Sequence, residues 1–589
     1  MTKQDASGII RHTLTDSLEV GLRFPGRKIL TIVLLVAVLL GALAGVGRTL
    51  DDYRQALRSS GVQPTPPREV HNTDVNPYGA NFFLAREVEL WKREKTVQMA
   101  AAAGIRWAKQ QFAWEEIEPR KGDFRIPATG ESSWGKYDQI VDLFRQYGME
   151  VIARLDRPPD WTRQDNTHKE RPPDNFADYG NFVYEFVRHF KGRIHYIQIW
   201  NEPNIYPEWG ERPVDPAAYV ELLKIAYLRA KEADPNIVVL SAPLAITLGE
   251  PHPEPGKWRS MSDLQFLEEM YKAGAKDYFD ILSANAFGMS LPPEDPPDPN
   301  KLNFSRVVLL RQIMEKYGDT RKAVWFNEYG WNAAPESFPK GALIWGRVDE
   351  ETQAQYTVRG IEIARQRWPW AGVFCIWYFR QVGQYPADEA AYYFRMVDPD
   401  FTPRRLYYAI KEAAAAMPPA GPGTHEETSP AVTHSGGWER ILAPQVSGGG
   451  YLEASQAGAS LTFSFTGQIV NLVVHKAPYA GRLLVALDGR NVPGLLVDEQ
   501  GRSYVDLHSN GDLWTETQVV KGAGNGPHTL TLTVAEQTNP AATGAKCGID
   551  AFVVRAAPTP AFPYVPLGAF ALIAALAVAG VVRMARRKR

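Results

Sequence analysis

The sequence predicts a (β/α)8 TIM barrel followed by an all-β sandwich of jelly-roll type, the two together flanked by transmembrane helices. Three observations predict this. Eight short apolar or β-branched runs alternate with helix-period segments over residues 73–416; a later block, 437–556, alternates with period two and is punctuated by glycine; and two apolar segments occupy 29–47 and 566–582. Alternating strand and helix patterns favour a parallel sheet, and eight such repeats favour a closed barrel. Period-two strands between glycine turns favour a sandwich. The 589 residues are too many for one core, so several domains are expected.

Taken in chain order, a basic tail (1–28) carrying Arg23, Arg27 and Lys28 precedes the first apolar segment. Arg583, Arg586, Arg587, Lys588 and Arg589 follow the second and form a tail at 583–589. Each segment is near the length of a bilayer crossing. Positive charge on the outer flank of both assigns both termini to the cytoplasm and the intervening chain to the extracytoplasmic side of the cell membrane. A cleaved signal is the competing reading of the first segment, because Ala42-Leu43-Ala44 has the small residues of a processing site, and a sorting tail is that of the second. The long basic region before residue 29 favours an uncleaved anchor. Proline-rich composition marks linkers at 48–72 and 417–436, and a short linker is read at 557–565.

Within 73–416 the predicted strands lie near 81–83, then at 105–109, 150–155, 194–200, 237–240, 279–282, 323–326 and 373–377. Phe182, Val183, Phe186, Val187 and Phe190 recur on one helix face, and Asp178 is positioned to cap it. On this count Glu202 ends strand four and Glu328 ends strand seven, so both face the crevice at the C-terminal strand ends.

Glu202 sits in Trp200-Asn201-Glu202-Pro203-Asn204, where Pro203 stops the ladder just past the acid. Glu328 sits in Phe326-Asn327-Glu328-Tyr329-Gly330-Trp331. One Glu before a Pro reads equally well as a capped turn; a second acidic strand tip makes a pair. Glycoside hydrolysis with retention needs two carboxyl groups about 5 Å apart, one protonating the leaving oxygen and one attacking the anomeric carbon. A carbohydrate substrate is therefore expected, with no cofactor. A net charge of −2 gives no basis for a nucleic-acid partner. Cys375 and Cys547 fall in separate domains, too few for a cysteine metal site and unsuited to a disulfide, so both are read as small buried residues and no metal is expected.

These motifs resemble those of the retaining glycoside hydrolases of clan A, most closely the family 39 and family 5 branches. The resemblance extends to Trp114-Glu115-Glu116-Ile117-Glu118-Pro119, Pro158-Pro159-Asp160-Trp161 and Val397-Asp398-Pro399 with Pro403. It implies an O-glycosyl hydrolase, β-acting, with Glu202 as acid and then base and Glu328 as nucleophile. It implies that Asn201 bonds the sugar 2-hydroxyl and that Trp377, ending strand eight, lies beneath the sugar ring. Trp114 and Trp161 are read as packing, and Glu115, Glu116 and Glu118 as a solvated loop. Three positions depart from the pattern. Lys109 stands where relatives have Arg, and Asn285 and Phe287 stand where they have His and Tyr, which leaves the nucleophile's usual hydroxyl partner missing unless Tyr329 or another loop Tyr replaces it. Lys109 and Asn285 are kept as substrate-site residues.

The 437–556 block resembles the jelly-roll modules appended to carbohydrate-active enzymes, through Phe465-Thr466-Gly467, Gly526-Pro527-His528 and Ile549-Asp550-Ala551-Phe552. Trp438, Tyr451, Tyr479 and Trp514 are read first as core. The departures at Lys109, Asn285 and Phe287 also motivate two alternatives to hydrolysis: a catalytically silent glycan-binding protein, and a transglycosidase using the same covalent intermediate.

Overall fold

Eight parallel strands form the larger element: β1 (Tyr78–Phe82), β2 (Trp107–Ala113), β3 (Glu150–Asp156), β4 (Tyr196–Ile199), β5 (Val238–Leu240), β6 (Leu282–Phe287), β7 (Val324–Gly330) and β8 (Ala371–Ile376). The computed structural model describes residues 26–59 and 70–586, apart from 384, 435–436, 444, 525 and 558–559. Neighbours around the ring follow chain order, and β8 pairs β1. Parallel bridges Leu240↔Ile281 and Leu244↔Ala284 span β5 and β6, so the barrel is nearly closed. All eight predicted strands are found. The sixth begins three residues late and runs on to Phe287, which puts Asn285 inside the strand.

The strands are rich in Val, Ile, Trp, Tyr and Phe because both faces are buried in a helix-wrapped parallel sheet. Trp107, Tyr196 and Trp325 fill the N-terminal end of the barrel, with ring centroids 4.8 Å apart for Trp107–Trp325 and 5.1 Å for Tyr196–Trp325. These rings pack the interior of the barrel at that end, and in this fold the catalytic crevice lies at the opposite, C-terminal strand ends.

Helices follow the strands in turn: Leu90–Ala102, Gly135–Gln146, Phe176–His189, Pro216–Ala233, Asp263–Lys272, Val307–Lys316, Glu350–Arg367 and Arg405–Ala415. Side-chain caps fix three starts, Asn175 on Ala177 N, Asp215 on Ala218 N and Asp349 on Thr352 N. Each such cap contributes about 1 kcal/mol. The cap predicted at Asp178 belongs to Asn175; Asp178 lies within the first turn and pairs with Lys121 at 2.7 Å. The predicted face is buried, with Phe182, Val183, Phe186 and Val187 against the barrel.

Two antiparallel sheets follow. One orders Trp438–Leu442, Gly450–Ala454, Cys547–Arg555, Ile469–Lys476 and Leu513–Lys521; the other contains Val432–His434, Ser460–Thr466, Pro527–Val534, Arg482–Leu487 and Ser503–Asp506. Their inner faces meet through rings such as Phe463 and Phe552, stacked at 4.3 Å. Part of the proline-rich stretch read as a linker is strand: Gly423–Glu426 pairs Cys547–Arg555, and Val432–His434 pairs Ser460–Thr466. Its polar side chains half-face solvent on edge positions, which hides period-two patterning. The sandwich meets the N-terminal end of the barrel. Arg440 Nη1 donates to the Tyr196 hydroxyl at 2.9 Å, and Arg145 pairs with Glu439 at 2.8 Å.

Barrel and sandwich form one unit, Pro64–Arg555; a second contains the two apolar helices. Those helices, Gly26–Ser59 and Tyr564–Arg586, are long and apolar enough to cross a membrane, with mean hydropathies of 2.9 and 2.4 over their apolar spans. They pack antiparallel. Leu35 lies against Gly580, Gly45 against Phe570, and the Tyr53 and Phe562 rings are 5.1 Å apart. A Cβ at Gly45 would come within 2.5 Å of the Phe570 ring, so glycine permits this approach. The first helix extends to Ser59 into the stretch read as a linker; residues 60–69 of that stretch lie outside the described residues.

Candidate active site

β4 ends at Ile199, and the chain turns sharply into Trp200-Asn201-Glu202-Pro203. Trp200 (φ 71°) and Glu202 (φ 36°) both take the left-handed region, which costs about 1–3 kcal/mol for a residue with a side chain and persists only where neighbours enforce it. The enforcement is visible. Gln198 Nε2 donates to Trp200 O at 2.7 Å, Glu202 N–H donates to Pro243 O at 3.1 Å, and the Asn204 amide ties the turn to Ala245 O and Met261 O at 2.9 and 3.0 Å. Glu202 is thereby turned over the mouth of the barrel.

Glu328 reaches the same space by a different device. β7 pairs β6 as Ala284↔Phe326 and then Asn285↔Glu328, so Asn327 is an extra residue; a register shift occurs on the β8 side as well. Such a bulge re-aims the side chain that follows it. Lys109 from β2 donates to Glu328 Oε1 at 3.1 Å, both side chains nearly buried at 2% and 8% exposure. Burial lowers the Lys109 pKa, and Glu328 works against that shift.

Asn285 joins the two acids. Its Nδ2 donates to Glu202 Oε1 at 2.6 Å and lies 3.4 Å from Glu328 Oε2. Because one nitrogen reaches both oxygens, they are separated by at most the sum of those distances, about 6 Å. Burial first, then the negative charge of Glu328 and Glu208, raises the Glu202 carboxyl well above the ordinary carboxylate range. The Asn285 hydrogen bond opposes that rise. Asn285→Ala is therefore expected to raise the Glu202 pKa further and, since a general acid acts in its protonated form, to move the basic limb of the kcat/KM pH profile upward. The rate should fall roughly 10²-fold as the acids lose a common positioning contact. A pH profile of the variant checks both.

A cavity of about 260 Å³ opens on the two acids, and its lining includes Asn81, Lys109, Asn201, Glu202, Glu328 and Trp377, with Asn285 behind them. Asn201 is buried and its Oδ1 has no hydrogen-bond partner. Trp377 forms one aromatic wall with Phe83, ring centroids 5.8 Å apart, and Phe287, Trp345 and Tyr385 continue it. Tyr329 does not face this space: its hydroxyl donates to Thr357 O at 2.6 Å in the helical layer. Tyr385 is the tyrosine that lines the cavity. Trp114 stacks on Phe182 at 5.1 Å and is packing, as read. The acids near it are paired: Glu115 with Arg157, Glu116 with Lys136 while staying exposed to solvent as read, and Glu118 accepting from Trp114 Nε1 at 2.7 Å in a buried setting.

The sequence reading missed a polar wall made by Arg86, Gln111, Arg154, Arg157, Glu170 and Glu208. Arg154 pairs with Asp156 at 2.5 Å, and Gln111 donates to the same carboxylate at 2.8 Å. Burial opposes the Arg154 charge, yet Asp156, Glu208 and Glu328 outweigh it and hold the guanidinium more firmly protonated than usual. Burial raises the Glu208 carboxyl to about 7, with Arg154 pulling the other way. A signal was available: Lys109 and Gln111 alternate along β2, and Arg154 and Asp156 along β3, in strands whose other residues are mostly apolar. Charged residues at period two in a barrel strand mark the side facing its mouth.

No family model matches the chain, and no curated protein matches it. In fold it is similar to solved structures that include a family 39 glycoside hydrolase from the gut symbiont Bacteroides cellulosilyticus WH2, with 18% identity over 79% of this chain and 82% of that one and a TM-score of 0.44. A monomeric β-xylosidase from Caulobacter crescentus CB15 is 13% identical over 81% of this chain and 98% of its own, TM-score 0.42. A GH39 enzyme from Xanthomonas axonopodis pv. citri is 14% identical over 80% and 98%, TM-score 0.42.

Proposed function

We propose that this chain is a membrane-tethered retaining glycoside hydrolase that cleaves O-glycosidic bonds in an oligosaccharide or polysaccharide by double displacement. Glu202 is the acid and then the base; Glu328 is the nucleophile. The observation that supports this most is the single Asn285 amide nitrogen within reach of both carboxylates. A bound of about 6 Å on this pair of oxygens is compatible with the roughly 5–5.5 Å of retaining enzymes and falls below the about 6.5–9.5 Å of inverting ones.

The two environments divide the roles. Glu328 is held by Lys109 at 3.1 Å, which positions its carboxylate for attack on the anomeric carbon. Glu202, with its raised pKa, keeps the proton that the leaving oxygen needs at neutral pH. Forming the ester on Glu328 removes its charge, so the Glu202 pKa falls and the same group then draws a proton from the incoming water. Asn201, with an unpaired buried oxygen, accepts a hydrogen bond from a sugar hydroxyl, and Trp377 presents its face to the ring. The basic flanks of the two apolar helices support anchorage with barrel and sandwich outside the cytoplasm.

A panel of 2-fluoro glycosides with activated leaving groups tests the assignment. Peptide mapping of the inactivated enzyme is expected to locate the ester on Glu328. An ester on Glu170, Glu202 or Glu208 would overturn the roles, and a product of inverted configuration would overturn the mechanism.

A further inference from the structure

A second group of carboxylates lies at the other end of the barrel. Glu426 ends the strand Gly423–Glu426, Glu427 follows it, and Asp550 lies on the partner strand Cys547–Arg555, where Glu426 pairs Ala551. One oxygen from each of the three lies within 4.8 Å of the other two. The turn Ser447–Gly449 covers them, with Ser447 Oγ donating to Glu426 Oε1 at 2.6 Å and Ser447 N–H to Asp550 Oδ2 at 3.4 Å. Gly448 holds φ at 63° there, and a Cβ on it would come within 2.8 Å of Glu426 Oε2.

Two features point beyond a mere acidic patch. Glu427 and Asp550 are each only 4% exposed, and Glu427 Oε2 and Asp550 Oδ1 are buried without a hydrogen-bond partner. Arg440 satisfies the other oxygen of Glu427 at 2.7 Å and makes no bond to Asp550. Buried carboxylate oxygens without donors are strongly disfavoured unless a cation or a proton takes the place of water. A cavity of about 670 Å³, lined in part by Asp74, Glu426, Ser447 and Gly448, gives access to the cluster.

We propose that Glu426, Glu427 and Asp550 bind a divalent cation of the calcium class at the seam between barrel and sandwich. An all-oxygen donor set selects a hard cation. Calcium bonds of about 2.3–2.6 Å bridge oxygens up to about 5 Å apart, whereas magnesium, at about 2.0–2.1 Å, would require the cluster to contract to about 4.2 Å. The ion would neutralise the orphaned oxygens and fix the strand that holds the barrel: Glu426 N–H donates to Asp74 Oδ2 at 3.2 Å, and Thr428 Oγ1 donates to Asp74 O at 2.8 Å.

Calorimetric titration of the chelator-stripped, detergent-solubilised full chain with calcium chloride tests this. The expected result is one ion per chain with a Kd of about 10⁻³ M or tighter, and a melting temperature raised by about 3 °C or more at saturation. Asp550→Asn and Glu427→Gln should abolish both effects. Glu426→Gln, which alters the half-buried member and so spares the fold, should weaken binding at least about tenfold by removing one charged ligand. Absence of binding in the wild-type chain overturns the proposal. So does binding that is unchanged in Glu426→Gln or in either buried variant.

Discussion

Glu328→Gln is expected to lower kcat by about 10⁴–10⁶-fold, the scale at which an enzyme loses a covalent nucleophile. The other acids of the cavity are differently engaged: burial raises the Glu208 carboxyl to about 7, with Arg154 pulling the other way, and Glu170 is paired with Arg157 at 2.6 Å. The substitution has a second consequence, for stability. Lys109 and Glu328 are a buried ion pair, and neutralising one member strands the other, typically at about 3–5 kcal/mol. The sign of the pH dependence follows from Lys109. Burial already lowers its pKa, and without Glu328 it falls further, so the folded variant favours the neutral amine and is destabilised as pH falls below the unfolded-state value. The stability deficit of Glu328→Gln should therefore shrink as pH rises. Glu328→Gln combined with Lys109→Met removes the stranded charge, and should regain thermal stability while staying inactive. Recovery of activity along with stability would mean that Glu328 is a structural partner of Lys109 and not the nucleophile. Azide offers a further check: with the carboxylate gone it attacks the anomeric carbon directly and yields a glycosyl azide of inverted configuration.

The barrel was legible because its signal is redundant. Each of the eight strands is short, apolar and bounded by helix-period segments, and an error of two or three residues at one end, as at β6, leaves the count intact. Glu202 and Glu328 were legible for a related reason, since an acid at a strand's C-terminal tip is out of keeping with the run before it. What remained hidden depends on contacts between strands far apart in sequence. Lys109 reads as a lost arginine, yet it grips Glu328 across the barrel. Asn285 reads as a lost histidine, yet it supplies the donor shared by both acids. Neither contact follows from the local sequence, because the bulge at Asn327 that brings Glu328 opposite Asn285 leaves no turn residue to mark it. The sandwich edge strands were hidden differently: Gly423–Glu426 and Val432–His434 are half-buried and polar, so composition assigns them to a linker. The cluster at Glu427 and Asp550 joins the two ends of that domain and is visible only once they pair.

Glu202→Ala is expected to separate the two half-reactions, because the same side chain serves both in opposite protonation states. For a poor leaving group such as another sugar, loss of the proton donor should cost about 10²–10⁴-fold in kcat. For a leaving group as acidic as a dinitrophenol, protonation is unnecessary, so attack by Glu328 proceeds while hydrolysis of the ester slows for lack of a base. The covalent intermediate should then accumulate, giving a burst of phenol and a depressed KM. Azide should relieve the block. It fits where the Glu202 carboxylate lay, beside the Asn285 amide that donated to it at 2.6 Å, and it needs no base to attack. The product should be a glycosyl azide with the configuration of the substrate, opposite to that obtained from Glu328→Gln. The basic limb of the wild-type profile, set by the raised Glu202 pKa, should vanish with it. Absence of a burst would assign the base role elsewhere, with Glu208, which lines the same cavity, the alternative acid. Equal losses for good and poor leaving groups would remove Glu202 from proton transfer altogether.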